Sequence, residues 1–465
     1  MRLLNRAGSW GKHLEFFHLL ALAYVLFSIH YAVARMLNTD CSYQLFTSIN
    51  TKDFFFQEGR FGMFPTQIPL VLGVWLEVPM LLLVHLYSIS FSLLYVLVLL
   101  VNQFVFKSRE AALATILALV IGSGATFFHA TTETHLLVVL GCLLYGAMAS
   151  RERLGGRMVV YGVWGMILLW SLFVHPNALF ITFFVCGLFF LQKRLSWREF
   201  AVMILACFVF LVLKSALAPA DSYDTKQYAR LADWRNNIHG FFGLWPIQFI
   251  EGRLWNQYLG VLVLFTLAAL FYRKRLAVLF TFVSVIGFLV ITILTFPDGD
   301  SDAMMEKSFA PAIFMVVLLF SQFYYRATLR WPLTLLVLLL SAYSFSFIVK
   351  NGEPYQKRLV GLRCILDTAG REHPKLFADN KDMKEDPYRY NSWATSLDAL
   401  MLSRCMGEEA MTLFLTDKVQ DLKTDTVDTH TFLYLPWLPH GMELQNTHYF
   451  NLPPVPYHRL QHGCD

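Results

Sequence analysis

Charge is what this chain has least of. Asp, Glu, Lys and Arg make up 15% of its 465 residues, while hydrophobic residues reach 56%. A soluble chain of this length would form two or three domains with far more charge. The sequence also lacks a Walker loop, a dinucleotide-binding glycine turn, His-Glu-x-x-His and Gly-x-Ser-x-Gly. ATP-driven transport and soluble-type hydrolysis therefore have no support. Seven cysteines show no metal-site spacing such as Cys-x-x-Cys. No Asn-x-Ser/Thr sequon occurs, which favours a bacterial inner membrane over a eukaryotic secretory one.

What is present is a series of apolar stretches, and a stretch of about 20 such residues spans a bilayer core as a helix. The first runs from about Leu14 to Met36 behind Arg2, Arg6 and Lys12, and reads as a retained anchor. Further spans are expected near 81–106, 110–127, 134–150, 158–174, 177–192, 199–218, 256–272, 276–296, 309–325 and 331–349. The fold class is thus an all-α polytopic membrane protein with about eleven transmembrane helices. Residues 64–80 are apolar but short, and Pro65, Pro69, Gly73, Glu77 and Pro79 interrupt them. They read as a re-entrant or interfacial element, which is tolerated where protein or a water-filled cavity covers it.

Basic clusters mark alternate junctions: Lys107 and Arg109; Arg151, Arg153 and Arg157; Lys193, Arg194 and Arg198; Arg273 to Arg275; Arg326 and Arg330. By the positive-inside rule these loops are cytoplasmic, as is the N-terminus. Outer loops then fall at 37–63, 128–134, 219–255 and 297–308, and residues 350–465 form an extracytoplasmic domain. That tail holds 13 Lys and Arg against 16 Asp and Glu, leaving 25 against 17 for residues 1–349. The basic excess is mostly a topology signal and no evidence for nucleic-acid binding. In the tail, 354–371 and 392–406 have helical apolar spacing, while 411–416 and 429–437 read as strands. A small α+β cap is expected, and a Cys364–Cys405 bridge is open to it.

The outer loops carry the candidate chemistry. Asp40 follows the first span at the membrane surface, where a carboxylate can deprotonate a hydroxyl or ligate a divalent ion such as Mg or Mn. The plainer role for Asp40 is a helix cap. Tyr43, Asp53 and Arg60 follow on an expected interfacial helix, with Phe46 and Phe54 to Phe56 against lipid. His129, Glu133 and His135 crowd the second outer loop, and ionisable groups this close to hydrocarbon carry a cost. The long loop offers Arg235 and Arg253 as forked partners for a lipid phosphate, or for ordinary headgroups. Lys307 precedes a span and can neutralise phosphate. The Asp298, Asp300, Asp302 series fails the calcium-loop pattern, because Ala303 and Phe309 stand where Gly and Glu are required. His458 and His462, with Cys464 behind them, read as a surface helix end as readily as a zinc site.

This layout resembles the GT-C superfamily of integral membrane glycosyltransferases. The likeness lies in the span number, the cytoplasmic N-terminus, Asp40 in the first outer loop, Glu133 in the second, and the DCSYQLFTSIN and GRFG stretches. It implies transfer of a sugar from a polyprenyl-phosphate donor to an extracytoplasmic glycan, lipid or protein. Asp40 would orient or deprotonate the acceptor, with help from Glu133. Arg60, Arg235, Arg253 or Lys307 would hold the departing phosphate, and Tyr43, Asp53 and His129 would support the loops. No metal ligands are assigned. The chain departs from the family where Cys41 replaces the second acid of the mannosyltransferase Asp-Glu pair, and where the tail lacks Trp-Trp-Asp. Two further classes share such a topology: a lipid-linked glycan ligase, polymerase or flippase, and a non-enzymatic accessory subunit.

Overall fold

The computed structural model describes residues 15–217, 234–299, 301–383, 393–417, 427–434 and 440–460. Helices dominate. In the first part of the chain these are α1 (Phe16–His30), α2 (Ala32–Met36), α3 (Thr39–Thr51), α4 (Phe64–Trp75), α5 (Met80–Leu100) and α6 (Arg109–Val120). The middle contains α7 (Glu133–Ala149), α8 (Arg157–Val174), α9 (Ala178–Leu191), α10 (Trp197–Leu217), α11 (Trp234–Ile238) and α12 (Trp245–Leu254). Then follow α13 (Leu259–Phe271), α14 (Arg275–Thr295), α15 (Asp302–Arg326), α16 (Arg330–Ile365) and α17 (Thr395–Cys405).

Burial sorts these helices into two kinds. Almost every residue of α6, α7 and α15 is buried, so these three form the interior. Small residues let neighbours approach them: a Cβ on Gly141 of α7 would stand 2.6 Å from Ile181 and 3.0 Å from Phe314. Helices α8, α10, α14 and α16 are apolar on both faces yet bury only part of their surface, leaving Phe208, Val212, Leu279 and Leu339 exposed. An apolar belt of this extent is not tolerable in water and suits a lipid environment.

Five described helical stretches are long and apolar enough to cross a membrane: Met80–Val105, Arg157–Val174, Arg275–Thr295, Asp302–Arg326 and Arg330–Gly370. A sixth arises if α12 and α13, bent by 77° at their junction, count as one broken span. Several other apolar helices are shorter, including α1, α7 and α9 at 10–17 residues. The expected eleven is therefore not reached by length among the described residues. The proline-rich stretch forms α4, with Pro69 inside it, and folds back on α5, so that Gly73 lies close against Leu83.

Helix α16 has 36 residues, roughly 54 Å at 1.5 Å per residue, and runs without a break across position 350. It ends at a small sheet. Strands β1 (Lys375–Asp379) and β2 (Thr412–Thr416) pair in parallel, joined through α17. Strand β5 (His458–Arg459) pairs in parallel with β1 on its other edge, and β3 (Thr431–Tyr434) with β4 (His440–Glu443) makes an antiparallel ribbon. The tail strands expected at 411–416 and 429–437 are β2 and β3. Parallel pairing needs a crossover, and the helical pattern at 392–406 supplies it.

Two expectations are corrected here. Phe46 does not face lipid. It is fully buried, with ring centroids 5.5 Å from Phe432 and 5.0 Å from Phe450, because α3 is covered by the C-terminal region. Asn50 strengthens that cover, accepting from the Gln445 and Asn446 backbone amides at 3.0 and 3.3 Å. The Cys364–Cys405 pair does not form either. Cys405 is a free thiol in the core, while Cys364 is bridged to another cysteine.

Candidate functional site

The loops that follow α2 and α6 are stitched together by buried polar contacts. Arg35, 1% exposed at the end of α2, donates from Nε to the Phe127 carbonyl at 2.9 Å. Its Nη1 donates to the Ser88 carbonyl and hydroxyl at 3.2 and 3.0 Å. Asn38 donates to the Phe128 carbonyl at 3.4 Å, and Cys41 Sγ meets Thr131 Oγ1 at the same distance. From the other side Arg358 donates to the Leu37 carbonyl at 2.9 Å while pairing with buried Asp398. These contacts fix the chain on both sides of Asp40. Thr39, just before it, has φ +46°, which a β-branched residue adopts only under constraint.

A second pin brings in α15. The Glu306 carboxylate, 3% exposed, accepts from the backbone amides of Gly124, Ala125 and Thr126 at 2.5, 3.0 and 3.0 Å and from Gln257 at 2.7 Å. Thr126 adds its hydroxyl. A buried carboxylate is tolerable only with such full satisfaction. The result anchors the start of α15, and with it Lys307, to the loop that leads to Glu133.

These pins assemble one charged cluster. Arg60 and Glu133 form an ion pair at 2.7 Å with both side chains largely buried. Asp40 lies within range of the charges of Lys307, Glu133 and Arg60. Burial is the strongest influence on Asp40 and holds its carboxyl above the usual carboxylate range; Lys307 and Arg60 work against that rise, and Glu133 adds to it. Neither Asp40 nor the Lys307 ammonium makes a hydrogen bond or ion pair among the described residues.

The cluster stands at the head of a cavity of about 280 Å³. Arg60, Glu133, His175 and Lys307 line its polar end. Leu179, Phe180, Leu211, Phe288 and Ile291 line much of the rest, with hydroxyls of Thr292 and Thr295 among them, so the cavity is charged at one end and largely apolar along its length. A second chamber, of about 1100 Å³, is lined in part by Asn38 and Thr39, the chain neighbours of Asp40.

The remaining sequence candidates fall elsewhere. His129 lines the larger chamber, with Nε2 3.1 Å from the Tyr355 hydroxyl. Burial, with Lys307 nearby, pushes its pKa down to about 3, so the ring is neutral at ordinary pH. Arg253 also faces that chamber, ion-paired with Asp302 and stacked 4.1 Å over the Phe249 ring. Tyr43 packs against Phe55, Trp393 and Tyr434 on the covered face of α3. Asp53 is exposed and accepts from the neighbouring Phe54 amide at 2.7 Å. Arg235 is in α11, with its side chain outside the described residues, as are Asp300, His462 and Cys464. No group of three or more His, Cys, Asp or Glu placed to hold a metal occurs among the described residues.

Sequence reasoning passed over Arg35 and Glu306. Both are charges at the ends of apolar stretches, where a cation or acid reads as a surface anchor; only the fold reveals what they hold. His175, at the end of α8, was missed as well and faces the same cavity as Glu133. The chain matches no family model, no curated protein and no solved structure.

Proposed function

We propose that this protein is a membrane glycosyltransferase that moves a sugar from a polyprenyl-phosphate donor to an acceptor outside the cytoplasm. One observation carries the reading. Lys307, an ammonium with no hydrogen-bond or ion-pair partner among the described residues, stands with a buried ion pair at the polar end of a largely apolar cavity, and its charge and that of Arg60 reach the Asp40 carboxyl. That cavity suits a ligand with an anionic head and a hydrocarbon tail, and a polyprenyl phosphate is such a ligand.

In the reaction the acceptor oxygen bonds to the anomeric carbon as the bond from that carbon to the phosphate oxygen breaks. The acceptor's proton passes to Asp40, and the electron pair leaves with the phosphate. Lys307 meets the charge that grows on the leaving group, where electrostatic stabilisation counts most. Arg60 is held by Glu133 and lends its field to the same end. Glu133 is then a positioning residue, since its carboxylate is already engaged.

In this reading the shorter apolar helices also cross, giving about eleven spans in a bacterial inner membrane. The basic loops lie in the cytoplasm and the C-terminal region outside. Short helices such as α7 need not match the bilayer, because other helices cover them. The partners are the polyprenyl-phosphate sugar, membrane lipids and an outer glycan, lipid or protein. A divalent metal ion is not required by the proposed chemistry, since the two cations serve the phosphate.

The test is transfer of radiolabelled sugar from a panel of undecaprenyl-phosphate monosaccharides in membranes holding the protein. Asp40→Asn is expected to lower transfer by at least a hundredfold, the usual worth of a general base. Full activity in that variant with a donor the wild type uses would remove Asp40 from the chemistry.

A further inference from the structure

The chamber of about 1100 Å³ differs in chemistry from the cavity beside Glu133. Among its described lining residues there is no leucine, isoleucine, valine or methionine. A wall whose aliphatic side chains are only those of Ala125, Ala303 and Pro354 among the described residues is a poor place for a lipid chain. It offers amides and rings instead. Asn256 presents an amide that can both donate and accept, while Asn38, Gln257 and Asn351, which donate within the protein, carry amide oxygens that can accept. Trp245, Tyr343 and Tyr355 present flat faces with a polar edge, which suits ligands that are apolar on one side and wet on the other.

Much of one wall is a single stripe of α16. Tyr343, Phe347, Asn351, Tyr355 and Arg358 recur at three- and four-residue spacing and so share a face. Lys350 sits on its edge, exposed, and its side chain makes no hydrogen bond or ion pair among the described residues. The other two cations are already engaged, Arg253 by Asp302 and Arg358 by Asp398. Among its described lining residues the chamber therefore keeps one positive charge without an ion-pair partner. Its volume lies at the upper end of the range for small-molecule sites, which leaves room for several sugar rings.

We propose that this chamber binds an acidic, hydroxyl-rich ligand, a saccharide bearing carboxylate or phosphate, with its anionic group on Lys350 and a hydroxyl turned toward Asp40. The inference rests on the reading of Asp40 as the base, and it names the acceptor's chemical class. A free glycan end and a lipid headgroup share this chemistry; the lining favours the glycan, and the two are separable by experiment.

Purified full-length protein in nanodiscs of neutral lipid would be titrated with trigalacturonate, with a phosphate-bearing trisaccharide, and with the neutral counterpart of each. At least one acidic sugar is expected to bind well above its neutral counterpart. Lys350→Ala should weaken that binding roughly tenfold or more, the worth of a charge-assisted contact. Asn256→Ala, at an exposed amide with no structural duty, should weaken acidic and neutral sugars alike. Failure of every acidic sugar to bind, equal binding of acidic and neutral forms, or an unchanged affinity in Lys350→Ala would overturn the proposal. So would displacement of the bound sugar by phosphatidylglycerol added to the discs, which would make the occupant a lipid. Transfer lost in Asp40→Asn with no such binding would sink this inference and leave the transferase reading standing. Lys350-dependent binding with transfer intact in Asp40→Asn would leave the chamber's ligand standing and remove Asp40 as the base.

Discussion

Individual residues in the cluster have separable duties. The Arg60–Glu133 pair is buried, so breaking it takes an ion-pair partner from a charge held where water cannot replace it. Glu133→Gln should lower stability by about 3–5 kcal/mol, read as thermal unfolding in detergent, whereas exposed pairs of the Arg371–Asp367 kind are worth under about 1 kcal/mol. An unchanged unfolding temperature would remove Glu133 from its positioning role. Asp40 makes a different prediction. Burial raises its pKa, so its proton leaves only at a pH above the ordinary carboxylate range, near 4. The deprotonated form is the base, and transfer should therefore rise with pH along a limb centred above that range. The sign for stability is opposite: a carboxyl with a raised native pKa favours the fold at low pH and loses that contribution as pH rises through it. A transfer profile that does not rise with pH above the ordinary carboxylate range would contradict the assignment. His129, neutral at those pH values, adds no limb. At this scale the sequence was informative about residue type and silent about proximity. Asp40, Glu133, Arg60 and Lys307 could be named from their loops, but their meeting depends on the Arg35 and Glu306 pins.

Among the elements, the crossing between the loop after Arg60 and the end of α8 is the tightest near the site. A Cβ on Gly62 would stand 2.8 Å from the Val174 amide nitrogen and 3.0 Å from the Phe173 carbonyl carbon, and backbone atoms cannot swing aside. Trp170 locks the same point by donating to the Gly62 carbonyl at 2.8 Å. Gly62→Ala should cost about 1–3 kcal/mol of stability and reduce transfer by moving Arg60, two residues away. Wild-type stability and activity in this variant would show that the approach is looser than described. Long elements were legible because periodicity and composition accumulate over many residues; α5, α14, α15 and the apolar part of α16 are examples. Short ones were not. Strand β5 has two residues, and β1 begins with Lys375, whose buried ammonium donates to the Thr429 and Thr431 carbonyls in a position that reads as solvent-facing. The unbroken passage of α16 beyond residue 350 also escaped notice, since its polarity changes there while its helix does not. That continuity matters, because the stripe lining the large chamber straddles the change.

Taken whole, the molecule holds two unlike cavities, one headed by residues whose charges reach Asp40 and one lined by its chain neighbours. The smaller is greasy with a charged head; the larger is polar, aromatic and wide. A lipid-phosphate donor and a hydroxylated acceptor would each have a compartment, with Asp40 where they meet. The sequence made a helical membrane protein with a small mixed cap legible, through hydropathy and the turn to a more polar tail. It could not yield the chambers, because cavities are properties of packing and no local pattern encodes them. The most direct measurement is saturable binding of undecaprenyl phosphate to the full-length protein in nanodiscs, compared between wild type and Lys307→Ala. Lys307 has no structural partner among the described residues, so its removal should spare the fold while weakening the lipid phosphate by roughly tenfold or more. Absence of saturable binding, or equal affinity in the two proteins, would contradict the account.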